Sequence, residues 1–384
     1  MNPIERLTER LIHGDSKKAV LVHSRPNRYY LTSFPSSDGV LLVTAEKAYY
    51  LLDFRYAEAG AENAKGAEVV SITNVDETIK ELLKKHGVGE VYMEYTALPY
   101  GVAMRYKSDC EAVGAVAVFD TTLDDALKAQ RIIKSEDEIQ KIAEAQKITD
   151  ATFTHILDFI HAGVTEREIA LEIEFYMRKL GADGNAFPPI VVTGKNGSHC
   201  HGVPGDTVVQ KGDLITMDTG AMLNGYNSDM TRTVAVGYVT DEQKDIYNTV
   251  LKAQLAAIEA VHAGVRCCDI DKVARDIIET PYPDTFGHSL GHGVGFEIHE
   301  WPRFSKLDTS IAKPGMVITV EPGIYVAGKC GVRIDDMIVV TEDGCRNLTH
   351  SPKERIILCF FRKFRTNMRI LLEIFLKLLY NSKR

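Results

Sequence analysis

Two aspartates flank a tight-turn dipeptide in the stretch MDTGAMLNGYNSD, where Asp218 and Asp229 stand on either side of Asn224-Gly225. Asn-Gly between alternating apolar residues is a strong signal for a β-hairpin with a two-residue loop. In that register Asp218 lies opposite Thr231, two residues beyond Asp229. Side chains two residues apart on a strand share a face, so the two carboxylates are diagonal neighbours about 7–8 Å apart at Cα. The pair can therefore hold a shared cation or a pair of cations.

Two other interpretations of this stretch are open. Acidic hairpin residues are usually solvated, and in that case the pair carries no chemistry. The tripeptide D-T-G at 218–220 is also the local signature of aspartic proteases, whose mechanism needs two such aspartates sharing a proton. The chain contains a single D-T-G, which argues against that class of protease.

A segment rich in histidine and glycine, FGHSLGHGVGFEIHEWPR, holds three of the chain's histidines, His288, His292 and His299. Its glycines let the backbone approach a bound group closely, and neutral imidazoles are common metal ligands. A lone histidine is more often a structural residue. Three within so short a segment favour a functional site.

Two further acidic residues lie in apolar surroundings. Glu321 ends the apolar run of KPGMVITVEPGIY, and a carboxylate there is costly to bury unless it is paired or binds a metal. Asp335 lies in GVRIDDMIVVTEDG, predicted as one strand on which Arg333, Asp335 and Met337 share a face while Asp336 points the other way. Each could instead be a rim residue or a salt-bridge partner. Taken with the aspartate pair and a histidine, these donors suit Mn²⁺, Co²⁺, Zn²⁺ or Fe²⁺ better than a soft metal.

The elements that would position these residues fall into two blocks. In the first 130 or so residues, KAVLVHS, GVLLVTAEKAYYLLD, AEVVSI and GEVYME are predicted as strands and VDETIKELLKKHG as a helix ending at Gly87. This pattern is typical of a self-contained α/β unit.

The second block begins with a charged helix. Capping boxes predict three helix starts, at Ser135 with Glu138, Thr165 with Glu168, and Thr240 with Gln243. Strands are predicted at 188–193, 213–223, 226–236, 316–321 and 332–341. Helices and hairpins in separate blocks favour an α+β second domain over repeated βαβ units.

Composition narrows the class of protein. The chain has 384 residues, 45% hydrophobic and 26% charged, with a net charge of -8. This is typical of a globular protein and argues against nucleic acid as a partner. Seven scattered cysteines without a C-x-x-C pair argue against a disulfide framework or structural zinc. No apolar signal core starts the chain, so we expect the reducing cytoplasm.

The C-terminal stretch MRILLEIFLKLLYNSKR is apolar but interrupted by Glu373 and Lys377, and it is too short to span a bilayer. We predict an amphipathic tail of unknown role over 359–384 and no stable membrane insertion. Three interpretations are open: a helix that packs on the protein or a partner, weak contact with a membrane surface, or a non-native tail from altered reading of the gene.

The motifs quoted above resemble the pita-bread-fold metallopeptidases, in the Xaa-Pro branch that contains prolidase and aminopeptidase P. The resemblance covers roughly residues 3–358, and RYYLTSFPSSDGVLLVTAEKAYYLLDFRY is similar to the small N-terminal domain of that branch and of creatinase. It implies an α+β pita-bread catalytic domain at 131–358, preceded by a smaller α/β creatinase-type domain at 1–130.

The resemblance also implies a dinuclear site for divalent ions, Mn²⁺ or Co²⁺. Asp218 would bind one ion and Asp229 would bridge both. The other implied ligands are His292 in GHGVG, Glu321 in VEPG, and Asp335, where the family usually has the longer glutamate.

Three more residues are implied to face the substrate. His201 in CHGVP resembles the histidine that precedes the catalytic hairpin, and His299 in IHE resembles the one that contacts the scissile amide. Arg303 in HEWPR would bind a substrate carboxylate, which favours dipeptides, although a surface salt bridge is the alternative.

The implied reaction is hydrolysis of the bond between an N-terminal residue and a following proline. A hydroxide bridging the two ions attacks the carbonyl, Glu321 accepts and relays the proton, and His201 and His299 hydrogen-bond the substrate and oxyanion. The alternatives are aminopeptidase P action on longer Xaa-Pro peptides and a non-catalytic pita-bread-fold binding protein. Methionine aminopeptidase is disfavoured by the extra N-terminal domain. The implied partners are proline-containing peptides and a second copy of the chain, as a homodimer.

Overall fold

The computed structural model describes residues 1–359. The chain divides into two compact units, Met1–Ile133 and a second that begins at Lys134. The predicted amphipathic tail lies outside the described residues from position 360 onward. Within residues 1–359, no helix combines the length and the apolar character needed to cross a membrane.

The first unit is an α/β layer structure built on one six-stranded sheet. Its strands are Lys18–Val22 (β1), Val40–Thr44 (β2), Ala48–Leu52 (β3), Glu68–Ser71 (β4), Glu90–Met93 (β5) and Val116–Val118 (β6). Its helices are Pro3–Leu11 (α1), Arg25–Thr32 (α2), Phe54–Asn63 (α3), Val75–Lys85 (α4), Tyr100–Ala112 (α5) and Thr122–Ile132 (α6). The strand order is β4-β3-β2-β1-β5-β6, with β1 to β3 antiparallel and the outer pairs parallel.

The helices of the second unit begin where the sequence predicts them. They are Glu136–Phe159 (α7), Glu166–Lys179 (α8), Asp241–Glu259 (α9) and Cys267–Glu279 (α10). All three predicted capping boxes form at the starts of α7, α8 and α9, with the N-cap side chain and the N3 side chain each bonding the other's backbone N–H. Each box satisfies two backbone donors that a helix start leaves open.

The strands of the second unit are distributed over four small sheets. They are Gly184–Asn185 (β7), Ile190–Thr193 (β8), Leu214–Thr219 (β9), Ala221–Leu223 (β10), Tyr226–Asn227 (β11), Met230–Val236 (β12), Gly291–Gly293 (β13), Glu300–Phe304 (β14), Val317–Val320 (β15), Gly323–Val326 (β16), Cys330–Arg333 (β17), Asp336–Val340 (β18), Cys345–Asn347 (β19) and Ile356–Leu358 (β20). The sheet orders are β11-β10-β7, β20-β12-β9-β8, β14-β13-β15-β18-β19 and β16-β17. Helices α7 and α8 bury Ile156, Ile169 and Ile173 against Ile215 and Val234 of the second sheet.

The hairpin around Asn224-Gly225 has the predicted register. Both loop residues have positive φ, 51° at Asn224 and 80° at Gly225, as a type I′ turn requires. Leu223 pairs with Tyr226, and the pairing of Asp218 with Thr231 is confirmed further along.

The predicted run 213–223 is wrong as a single strand, because it breaks at Gly220. An ideal Cβ built on Gly220 would lie 1.9 Å from the Ser228 carbonyl oxygen, so only glycine allows the two chains to approach this closely. The Ala221 N–H turns to the hydroxyls of Thr149 at 3.0 Å and Ser228 at 2.9 Å. The same crossing interrupts 226–236 at Ser228 and Asp229.

The predicted strand 332–341 is also wrong as one element. It divides into β17, which pairs with β16, and β18, which pairs with β15. Asp335 lies at the change of partner, where its N–H donates to the Thr231 carbonyl at 3.1 Å. The break frees the Asp335 side chain from the alternation of a continuous strand. Asp336 points away from it, as predicted, toward Arg232.

We predict that Gly220→Ala destabilises the protein by about 3 kcal/mol, because the added methyl overlaps a backbone oxygen that cannot move without opening the hairpin. Urea unfolding followed by circular dichroism measures this. Gly344→Ala is the matched control, since a Cβ there meets nothing within 4 Å, and it should change stability by less than about 0.5 kcal/mol. Equal stabilities for the two variants would contradict the account of this crossing.

Candidate active site

Asp229, His292 and Glu321 converge from three separate elements. Asp229 precedes β12, His292 is the middle residue of β13, and Glu321 follows β15. His292 Nε2 lies 3.4 Å from an oxygen of Asp229 and 3.4 Å from an oxygen of Glu321. The imidazole edge therefore faces two carboxylates at once.

The hydrogen bonds of His292 define which nitrogen faces the carboxylates. Nδ1 lies 3.1 Å from the Gly293 carbonyl, which can only accept, so Nδ1 carries the proton and Nε2 presents a lone pair. Burial lowers the pKa of His292 to about 3, and the ring is neutral at physiological pH. Thr319 joins the same cluster, accepting from the His292 N–H at 3.0 Å and donating to Glu321 Oε1 at 3.3 Å.

Asp335 reaches the cluster from the break between β17 and β18. It is 1% exposed, and its Oδ1 accepts from the Val320 N–H at 3.2 Å. Arg232 supports it from behind, donating to the Asp335 carbonyl at 2.5 Å and to Asp336 Oδ1 at 2.7 Å. Asp336 also bonds Lys353, so a buried ionic network holds the backbone that carries Asp335.

Asp218 faces a buried cation. Arg333, 2% exposed, donates from Nη2 to Asp218 Oδ2 at 2.5 Å and from Nε to Thr231 Oγ1 at 2.9 Å. Its Nη1 bonds the Tyr325 hydroxyl at 2.9 Å and the Cys200 carbonyl at 3.0 Å. Arg333 therefore ties the first aspartate of the hairpin to the chain segment that carries His201.

Charge crowding governs the titration of the cluster. Burial, then the charges of Asp218, Asp335 and Glu321, raise the pKa of Asp229 well above its ordinary value. Burial is also the main cause that raises the pKa of Glu321 to about 8, with Asp218 adding to it while Arg333 opposes it. Burial and the charges of Glu321 and Asp218 raise the pKa of Asp335 as well. One arginine does not balance four acidic groups.

The donor chemistry of this cluster fits divalent cations. Asp218 Oδ1 is buried and has no hydrogen-bond partner among residues 1–359, which is costly for a carboxylate oxygen unless a cation meets it. Carboxylate oxygens with one neutral imidazole are the donors that such ions prefer. In the described part of the chain, however, no three His, Cys, Asp or Glu side chains are already arranged to hold an ion. The residues fit a metal by donor type, burial and charge.

The three residues predicted to face substrate lie at the surface of this cluster. His299 and His201 are exposed, and the His299 ring packs edge-on against His292 with centroids 4.4 Å apart. Partial burial, then the charges of Arg303 and His201, lower the pKa of His299. Arg303 is exposed and lies directly across the ladder from His292. The structure thus brings His299 and Arg303 to the metal-facing histidine.

The segment that carries His201 is fastened by a carboxylate that sequence reasoning missed. Glu166, 1% exposed, accepts from the Thr193 N–H at 2.8 Å, Asn196 Nδ2 at 3.0 Å and the Gly205 N–H at 3.1 Å. These bonds close the loop on both sides of His201. An acidic residue in the first turn of a helix is usually explained by the helix dipole, so the sequence held no signal for this role.

Comparison with known proteins agrees with this arrangement. The family model described as metallopeptidase family M24 matches residues 140–342, and the creatinase/prolidase N-terminal domain matches residues 4–133. An Xaa-Pro dipeptidase of Pyrococcus horikoshii is 39% identical over 89% of this chain and 95% of its own length.

Solved structures give the same result. An Xaa-Pro dipeptidase from Bacillus anthracis superposes with a TM-score of 0.87 at 40% identity, covering 92% of this chain and 99% of that one. An X-Pro aminopeptidase from Thermotoga maritima superposes with a TM-score of 0.83 at 34% identity, covering 88% and 97%. The fold class predicted from the sequence is confirmed.

We predict that the metal-free protein loses stability as the pH rises from 6.5 to 8. Glu321 has a folded pKa of about 8 against an ordinary value of 4.5, so over this range the folded state keeps a proton that the unfolded state has lost, and folding becomes less favourable. The lowered pKa values of His288 and His292 act in the opposite direction, but only below their ordinary value of 6.5. Thermal unfolding at a series of pH values measures the slope.

Glu321→Gln is the control for this slope, because the amide is similar in size and does not titrate. Its melting temperature should fall less than that of the parent between pH 6.5 and 8. Added Mn²⁺ or Co²⁺ should stabilise the parent more at pH 8 than at pH 6.5. A parent protein that gains stability over this range, or a variant with the same slope, would count against a crowded carboxylate cluster.

Proposed function

We propose, from the premise that the chain belongs to metallopeptidase family M24, that it hydrolyses the peptide bond between an N-terminal residue and a following proline. The observation that carries this proposal is the convergence of a neutral, buried His292 with carboxylates whose burial demands a counter-charge. Relatives named Xaa-Pro dipeptidase align over most of the chain. We take residues 131–358 as the catalytic domain and 1–130 as a creatinase-type domain.

Five residues would hold two divalent ions, Mn²⁺ or Co²⁺: Asp218, Asp229, His292, Glu321 and Asp335. Asp218 would serve one ion through the buried Oδ1 that lacks a partner, and Asp229 would bridge both. Bound ions supply a water of lowered pKa and neutralise the charge that develops on the carbonyl oxygen.

The chain's own residues then handle the proton and the substrate. Glu321 would accept the proton from the attacking water and pass it to the leaving nitrogen, with Thr319 holding its carboxylate at 3.3 Å. His299 and His201 would donate hydrogen bonds to the scissile amide and the developing oxyanion. Their exposed positions above His292 support this role.

Arg303 supports a dipeptidase over an aminopeptidase that acts on longer peptides. A guanidinium binds a carboxylate in a planar, bidentate fashion, and Arg303 stands exposed across the ladder from His292. In a dipeptide the carboxylate lies one residue from the scissile bond, within reach of such a cation. Aminopeptidase P action remains the second candidate because a relative that superposes well carries the name X-Pro aminopeptidase.

Two further features belong to this proposal. All seven cysteines, which lie within the described residues, are free thiols, which supports a reducing compartment such as the cytoplasm. We also propose a homodimer, as the resemblance to prolidases implies. Light scattering of the purified protein measures its mass directly.

A substrate panel tests the proposal. Protein loaded with Mn²⁺ or Co²⁺ should release the first residue from Xaa-Pro, more slowly from Xaa-Pro-Yaa, and not from Xaa-Ala. Asp229→Asn, which keeps the side-chain size but removes the charge, should lower kcat by at least about a hundredfold, as expected when one group of a metal centre is lost. Unchanged turnover in Asp229→Asn would exclude metal-assisted catalysis at this site. Metal binding without any peptide cleavage would favour the non-catalytic binding protein.

We predict that Asp335→Glu binds Mn²⁺ as tightly as the parent or more tightly. The aspartate is held back by the Val320 N–H, and one more methylene lets the carboxylate extend beyond that bond toward the other donors. Calorimetric titration of the metal-free protein measures the affinity, with Asp336→Glu as the control for a longer side chain on the opposite face. A clear loss of affinity in Asp335→Glu alone would mean that the site is built around the shorter ligand.

A further inference from the structure

Strand β14 divides its side chains between the core and the surface. Glu300, Pro302 and Phe304 are buried, whereas Trp301 and Arg303 are exposed, Trp301 by 45%. The buried side is firmly held, because Glu300 pairs with Lys134 at 3.1 Å and both side chains are inaccessible to solvent. The strand therefore presents Trp301 and Arg303 together on one fixed face.

That face is the one that bears the proposed metal ligand His292. Arg303 is the cross-strand partner of His292, and directly paired residues of an antiparallel ladder project to the same side. His299, two residues before Trp301, packs its ring against His292. His299, Trp301 and Arg303 thus form a row beside His292, with the tryptophan between the other two.

We propose that Trp301 is a specificity-determining residue whose indole forms the wall against which the proline ring of the substrate packs. This inference rests on the proposed function, in which His299 contacts the scissile amide and Arg303 the substrate carboxylate. In an Xaa-Pro dipeptide the pyrrolidine ring lies between those two groups. The residue that occupies the matching place in the row is Trp301.

The spacing and chemistry of the row suit a proline ring. Residues two apart on a strand are separated by roughly 6.6 Å, a distance that a prolyl residue and flexible side chains can span. Proline is a rigid apolar ring, and a broad indole face offers contact area with few rotatable bonds to immobilise. An alanine in place of proline would leave part of that face in water, so the tryptophan would discriminate against Xaa-Ala through binding.

The chain contains one tryptophan, so intrinsic emission near 290 nm excitation, on the order of the usual indole band, reports on Trp301 alone. Stopped-flow mixing of the Mn²⁺-loaded enzyme with alanyl-proline should give an emission change that appears on binding and reverses as product leaves. Alanyl-alanine is the matched ligand without the ring and should give a much smaller change. Released proline, quantified in the same samples, reports turnover independently.

Substitutions separate the aromatic face from simple bulk. Trp301→Ala should raise KM for alanyl-proline on the order of tenfold with little change in kcat, whereas Trp301→Phe should stay within about threefold because it keeps an aromatic face. Leu307→Ala is the matched control, since Leu307 is a 91% exposed apolar residue soon after the same strand, and it should leave both constants unchanged.

The outcomes distinguish this inference from the proposed function. If the parent cleaves alanyl-proline while its emission stays constant, the indole does not contact the substrate and the inference is overturned. A Trp301→Ala variant with the KM of the parent, or a Trp301→Phe variant with a tenfold higher KM, overturns it as well. If the parent releases no proline from any Xaa-Pro peptide, the proposed function fails first. Should Trp301→Ala not fold, the emission of the parent and the kinetics of Trp301→Phe still decide the question.

Discussion

Crowding of buried negative charge at the hairpin is the constraint on which the rest of the catalytic unit depends. Asp229, Glu321 and Asp335 each have a raised pKa, with burial as the first cause and neighbouring carboxylates adding to it. Burial of uncompensated charge is among the most expensive events in folding. Since Arg333 supplies one positive charge against this group, the arrangement makes physical sense as a site that is completed by cations.

A cluster that repels itself needs a rigid frame. Arg232, 1% exposed, joins Asp336, the Asp335 carbonyl and the carbonyls of Pro352 and Ser351 through its guanidinium. All five donors of that group are directed at fixed acceptors, so the backbone on either side of Asp335 cannot relax away from its neighbours. Hydrogen-bond partners behind a ligand of this kind commonly tune its metal affinity. The frame absorbs the repulsion that the proposed ligands generate.

The parts of this site that the sequence predicted are those set by local rules. Asn224-Gly225 specifies a two-residue turn by backbone conformation alone, and the register of Asp218 against Thr231 follows from it. The capping boxes are local in the same way. Polar residues in apolar runs, such as Glu321, are visible because their burial requires a reason.

The parts that could not be predicted depend on chain segments far apart in sequence. The break at Gly220 arises because the Ser228 carbonyl approaches it, and no propensity encodes that contact. Arg333 was predicted only to share a face with Asp335, yet it bonds Asp218 across 115 positions. Glu166 fastens the loop of His201 from a helix start. These contacts exist only after the sheets have assembled.

The pairing of β13 with β14 shows how such a site separates two physical tasks. His292 on β13 is buried and neutral, which suits a ligand that must exclude water. Its ladder partner Arg303 is exposed and charged, which suits a group that must meet a substrate arriving from solvent. Because the two are adjacent across one ladder, the distance from metal to substrate carboxylate is set by strand spacing and hardly by loop conformation. A ligand of the wrong length would therefore place its reactive bond away from His292, and selection by length and by ring shape would follow from the same pair of strands.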